Sequence, residues 1–151
     1  MRKLLLLSLI CLVFFQSASA KATRSRSALA KVPQKTKNLT GTYRNRWSEF
    51  KIQALGVNRL HVQFNGTYPY KANGEMTANT GTGDAMTTLK GNVAIFVPQG
   101  TTACNITLTF VGQKLIVKQT GSDADCGFGH NVTADGTYIK RSSRPPKFDN
   151  Q

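Results

Sequence analysis

Tryptophan occurs once in 151 residues, histidine twice and cysteine three times, and seven acidic residues face twenty Lys and Arg. Scarcity on that scale removes whole classes of chemistry. No His-Glu-x-x-His, Gly-x-Ser-x-Gly or phosphate-loop spacing is present, so metallohydrolase, serine-hydrolase and nucleotide-cleaving readings have no motif to stand on. The two glutamates, Glu49 and Glu75, have nothing local to pair them as acid and base. His61 alternates with Gln63 on a strand pattern and reads as solvent-facing. Asp123, Asp125 and His130 share one loop, but a calcium cage needs more carboxylates at a different spacing. They read instead as turn formers beside an exposed imidazole. The expectation is a protein that is not an enzyme and holds no metal or cofactor.

Long apolar runs are also missing after Phe15. The run Leu4 to Phe15 rises only about 18 Å as a helix, against roughly 30 Å of hydrocarbon. Preceded by Arg2 and Lys3 and followed by Ala18-Ser19-Ala20, it has the layout of a secretory leader cut after about Ala20. Ile10 before Cys11 argues against a lipid-anchored cysteine, which needs a small residue there. Cleavage removes Cys11 and leaves Cys104 and Cys126, which in an oxidising compartment form one bridge. Closing that loop stabilises the fold by roughly 3 kcal/mol in the chain-entropy treatment. The expected location is periplasmic or secreted.

What is plentiful is glycine, threonine and positive charge. All thirteen glycines lie between Gly41 and Gly136, which divides the mature chain into a basic disordered tail at 21–38, a β-domain at 39–140 and a second basic disordered tail at 141–151. Apolar residues recur with period two, as in Leu60/Val62/Phe64 and Ile106/Leu108/Phe110, and no segment shows helical periodicity. Turn pairs punctuate them at Gly56-Val57-Asn58, Asn65-Gly66, Asn73-Gly74, Gly91-Asn92 and Gly112-Gln113. The pattern predicts strands near 41–47, 50–55, 59–65, 73–79, 84–90, 92–97, 104–110, 114–119 and 132–139. Eight or nine short antiparallel strands avoid exposed edges by closing into an up-and-down barrel, with a two-sheet sandwich as the alternative. Gly-Thr-Tyr recurs at 41–43, 66–68 and 136–138. It predicts similar corners with Tyr inward, and suits pairing of the last strand with the first.

Two resemblances follow from these residues. The run Cys126-Gly-Phe-Gly-His-Asn-Val-Thr-Ala-Asp-Gly-Thr-Tyr138, with Cys104-Asn-Ile-Thr-Leu-Thr-Phe110, resembles small exported bacterial β-proteins of unknown function. Similar Cys-Gly-x-Asn-Val…Gly-x-Tyr endings occur in domains found with LprI-type lysozyme inhibitors. The opening Leu39-Thr-Gly-Thr-Tyr-Arg-Asn-Arg-Trp47 with Phe64-Asn-Gly-Thr-Tyr68 is similar to the first strands of avidin and streptavidin barrels. That second resemblance implies a pocket at the barrel mouth near Asn45, Trp47, Tyr68 and Tyr70, with Asn45 and Tyr68 matching two head-group ligands. Glu49 stands where that family has a small hydroxyl residue, and no aromatic box surrounds Trp47.

Charge gives the leading functional expectation. Lys21, Arg24, Arg26, Lys31, Lys35 and Lys37 precede the domain without an acid among them, and Lys140, Arg141, Arg144 and Lys147 follow it. Such flexible cations attract an anionic envelope polymer, a lipid surface or an acidic protein. No aromatic residue lies in 21–40 to stack on bases, which disfavours nucleic acid. A small-ligand or enzyme-inhibitor barrel is the second expectation.

Overall fold

Residues 39–149 are described in a computed structural model of the chain; the leader and the 21–38 tail expected above lie outside them, as do residues 150 and 151. Eight strands follow in order: β1 (Gly41–Arg44), β2 (Ser48–Ala54), β3 (Arg59–Ala72), β4 (Glu75–Lys90), β5 (Val93–Phe96), β6 (Asn105–Val111), β7 (Lys114–Thr120) and β8 (Gly136–Ser142). Each pairs antiparallel with the next and β8 returns to β1, so the sheet is a closed barrel rather than a sandwich.

Two predicted strands, 73–79 and 84–90, are one strand. The intervening Thr80-Gly-Thr-Gly83, left between the two predicted strands, continues β4 with both glycines buried. A Cβ on Gly81 would stand 2.8 Å from the Phe128 side chain, so this wall is thin where a ring must fit. Asn65-Gly66 is likewise no turn, since it lies inside β3 opposite Glu49 and Ser48. Asn73-Gly74 does make the tight hairpin, with φ of 52° and 87°.

Inward positions fill the lumen. The Phe50 ring lies 4.9 Å from Phe64, 5.0 Å from Tyr138 and 6.2 Å from Phe96. An eight-stranded barrel has room for its own side chains and little else. Outward positions on the strands mix polar residues, Lys51, His61, Gln63 and Asp84 among them, with the exposed Met86, Ile95 and Ile116. No described helix is long and apolar enough to cross a membrane.

Hairpin alternation sorts the connections into two rings. Turns 55–58, 91–92 and 112–113 share one end with the start of β1 and the end of β8, here the turn end. Turn 45–47, hairpin 73–74 and loops 97–104 and 121–135 share the other, the loop end. Loop 121–135 covers the loop end. It buries Phe128, Val132 and Ala134, sets Phe128 5.0 Å from Phe64, and donates from Gly129 N to Thr80 O at 2.9 Å. The Cys104–Cys126 disulfide fastens it to the start of β6.

Two of the three Gly-Thr-Tyr copies form the barrel seam. Tyr43 in β1 and Tyr138 in β8 are buried, and each hydroxyl donates to the carbonyl four residues upstream, Leu39 at 3.0 Å and Ala134 at 2.9 Å. Their glycines share an extended positive φ, 146° at Gly41 and 140° at Gly136, a region other residues rarely enter. Burial pushes the Tyr43 phenol up to about 12 and Tyr138 higher still. The third copy differs: Tyr68 is 42% exposed, because β3 and β4 run past the rim as a projecting hairpin.

The chain also stays ordered beyond the expected boundary at residue 140. Arg141 and Ser142 belong to β8, and 143–149 crosses the outer wall to reach β3.

A Cβ on Gly41 would meet the Ser142 carbonyl at 1.9 Å, so Gly41→Ala opens the seam. We expect a loss of about 2 to 4 kcal/mol in urea unfolding, whereas Gly56→Ala, with φ of 112° but nothing within 4 Å of its Cβ, costs the backbone strain alone, about 1 to 2 kcal/mol. Replacing Cys104 and Cys126 by Ala is expected to cost roughly 3 kcal/mol, read as the drop in urea midpoint between oxidised wild type and the double variant.

Candidate functional site

Three places on the barrel gather polar chemistry. The first is the outer wall under the C-terminal segment. Gln63, the one buried polar side chain of the described residues, pairs with the main chain of Asp149 in both directions: its Nε2 donates to Asp149 O and its Oε1 accepts from Asp149 N, both at 3.0 Å. The Asp149 carboxylate accepts from Lys51 Nζ at 2.6 Å and Asn65 Nδ2 at 3.2 Å. Phe148 stacks on His61 at 3.7 Å, and His61 Nε2 lies 2.9 and 3.0 Å from the two oxygens of Asp84. His61 is therefore covered and braced rather than solvent-facing as expected. The correction has a plain cause: its partners Asp84 and Phe148 are 23 and 87 residues away in sequence. The site works as a clasp, since the carboxylate and one ring face of the His–Asp pair are already occupied.

The second place is the turn end. Arg59 opens β3, Lys90 ends β4, Lys114 opens β7 and Arg141 lies near the end of β8. Arg144 follows, its N donating to Ser142 Oγ. No acid lies at this end. Glu49, Glu75, Asp123, Asp125 and Asp135 all sit toward the loop end, and Asp84 and Asp149 sit on the wall. Most acids are also held locally: Glu49 by Arg44, Asp135 by Lys118 at 3.2 Å, and Asp149 by Lys51. Among the described residues no ion pair engages Arg59, Lys90, Lys114, Arg141, Arg144 or Lys147. Of the four expected C-terminal contacts, Arg141, Arg144 and Lys147 are exposed. Lys140 instead lies 5.6 Å over the Tyr43 ring, and partial burial lowers its pKa. The six cations from Lys21 to Lys37 lie outside the described residues.

Apolar side chains stand among these cations. Val57 at the tip of the 55–58 turn is 87% exposed, with Leu55 and Val111 also exposed on the same rim. Sequence reading missed Arg59, Lys90 and Lys114 because it summed charge along the chain. The signal was available: each flanks a turn that follows an even-numbered strand, and in an up-and-down barrel all such turns share one end.

The third place is a notch of about 370 Å³ on the outer wall at the loop end, bounded by residues 44–49 and Asn65. It contains two of the four residues expected at a barrel-mouth pocket, Asn45 and Trp47. Tyr68 and Tyr70 are not part of it, lying on the projecting hairpin. Asn45 is used by the fold: its Oδ1 accepts from Trp47 N at 2.9 Å and Ser48 N at 2.8 Å. The expected mouth pocket is therefore not assembled. The 121–135 loop covers that end, and the notch faces outward.

In that loop the acids are turn formers. Asp123 accepts from Ala124 N at 2.8 Å and Asn131 N at 2.6 Å, and Asp125 accepts from Ser122 N and Oγ at 2.8 Å. Backbone donors hold the Asp123 carboxyl below its ordinary 3.8, as the Ser122 donors do Asp125.

Comparison with protein-family models, curated proteins and solved structures finds no match to this chain. The class these observations define is a closed eight-stranded barrel with a packed interior and its polar features on the outside.

Asp123, Asp125 and Asp149 all have depressed folded pKa values, Asp149 through its bond to Lys51. Their stabilisation is complete above the unfolded value of 3.8 and is lost as pH falls through the lower folded values. The urea midpoint is expected to drop between about pH 4 and pH 2. Asp149→Asn, measured over the same range, is expected to show a lower plateau and a shallower drop.

Proposed function

We propose that this is a non-enzymatic, exported binding protein that docks on an anionic envelope surface through the turn end of its barrel. The observation that carries this reading is the placement of the acids: they lie toward the loop end or on the wall, which leaves the turn end with cations and exposed apolar tips and no carboxylate among the described residues. A lone cationic tail attracts any polyanion, whereas a rigid cationic rim with Val57 and Leu55 projecting between the charges matches an interface of anionic headgroups over acyl chains. Each cation near such a surface contributes about 1 kcal/mol, falling off within a Debye length of about 8 to 10 Å.

The described chain begins at this same end, since Gly41 opens β1 opposite Ile52, near the close of β2. The filled lumen makes an internally carried ligand the weaker reading. An inhibitor of a basic lysozyme also fits poorly, because like charges repel the encounter.

Sedimentation of the protein with phosphatidylglycerol-containing and pure phosphatidylcholine vesicles tests the proposal. Binding is expected on the anionic vesicles alone and to vanish as salt rises. The Lys90→Ala/Lys114→Ala pair is expected to lower partitioning by more than about tenfold, with Val57→Asp reducing it further and Lys71→Ala on the far hairpin leaving it unchanged. Equal binding to both vesicles, insensitivity to salt, or an unchanged double variant would overturn it.

A further inference from the structure

The notch beside Trp47 is built with more care than an idle surface requires. Asn45 N donates to Ser48 O at 3.0 Å while Asn45 Oδ1 holds the Trp47 and Ser48 amides. From the other side, Thr67 donates both its N and its Oγ1 to Trp47 O at 3.0 Å. The main chain is thus fixed on both flanks of an indole that stays 48% exposed. The chain's single tryptophan is held outward, where it adds little to the core. The Arg46 guanidinium lies 4.6 Å over its ring, and Arg44 is neutralised by Glu49. Arg46 alone in the notch has no carboxylate.

We propose that this notch binds a carboxylated sugar, a uronic-acid residue of an anionic glycan. Each part of such a ligand meets a matching group. The fork of Arg46 takes a carboxylate through two parallel hydrogen bonds. The weakly positive C–H face of a pyranose ring lies on the negative face of the indole, as cations do. Ring hydroxyls donate to the Glu49 carboxylate and to Asn65 Oδ1, the amide oxygen left over when Asn65 Nδ2 binds Asp149. The notch carries one net positive charge, which a singly charged carboxylate balances. Its volume of about 370 Å³ lies within the range of small-molecule sites, about 300 to 1,000 Å³. A nucleotide fits less well, because its doubly charged phosphate would face the Glu49 carboxylate across a notch of one net positive charge.

Because Trp47 is the only tryptophan, its emission in the intact protein reports occupancy directly. Titration with trigalacturonate is expected to shift that emission saturably, with neutral galactotriose binding at least about tenfold more weakly. Arg46→Gln is expected to weaken trigalacturonate about tenfold, equivalent to about 1.4 kcal/mol. Trp47→Ala, followed by calorimetry, is expected to abolish binding while leaving the melting temperature unchanged. The Lys90→Ala/Lys114→Ala protein, altered at the opposite end, should bind the sugar normally, so this inference and the surface-docking reading fail separately. No saturable shift, equal binding of the neutral sugar, tighter binding of adenosine monophosphate, or an unaffected Arg46→Gln variant would each overturn the proposal.

Discussion

Everything in this molecule depends on the seam where the first strand meets the last. β1 is only four residues long, too short to hold an edge by its ladder alone, and it pairs with β8 through a register shift between Thr42 and Tyr43. Two buried tyrosines anchored to carbonyls four residues upstream take the place of a longer ladder. Closure removes the sheet's open edges, fixes which connections share an end, and so determines where the charges go. The same closure packs the lumen with aromatic rings and moves any binding chemistry to the outside.

The exterior is organised by partition. Loop-end acids are mostly committed to local work, capping turns in the 121–135 loop or pairing with Arg44 and Lys118. Among the described residues no ion pair engages Arg59, Lys90, Lys114, Arg141 or Arg144 at the turn end. Between the two ends, the C-terminal segment crosses the wall and uses Gln63 much as a neighbouring strand would use its backbone. A fully buried glutamine is expensive unless both ends of its amide are satisfied, and here the Asp149 main chain satisfies them. The wall beneath the segment and the segment itself therefore stabilise each other.

The all-β class, the barrel and the disulfide were legible because they rest on local signals: period-two alternation, tight-turn pairs and just two cysteines, Cys104 and Cys126, in the glycine-bearing span. The seam was legible too, through the repeated Gly-Thr-Tyr. The errors came where tertiary context overrides a local cue. Thr80-Gly-Thr-Gly83 breaks the strand pattern until Phe128 is known to need the space, and Asn65-Gly66 looks like a hairpin until β2 is seen to pair straight across it. Tyr68 shares a tripeptide with Tyr43 and Tyr138 but lies beyond the rim, so the same letters face water. The clasp at His61 was invisible, because Asp84, Phe148 and Asp149 come from distant parts of the chain. The cationic rim was readable in principle from turn parity once a barrel was assumed, and was missed because charge was summed along the sequence rather than sorted by end.

The pairing of β1 with β8 also sets an order of events during synthesis. A chain emerging N-terminus first presents β1 and β2 with nothing to complete them until the final strand appears, and the wall segment has nowhere to dock before that. Contacts of such long sequence separation form slowly, and the half-built sheet carries open strand edges meanwhile. Synthesis from the N-terminus therefore leaves the barrel open until β8 and residues 143–149 are free, and its unpaired strand edges stay exposed until then.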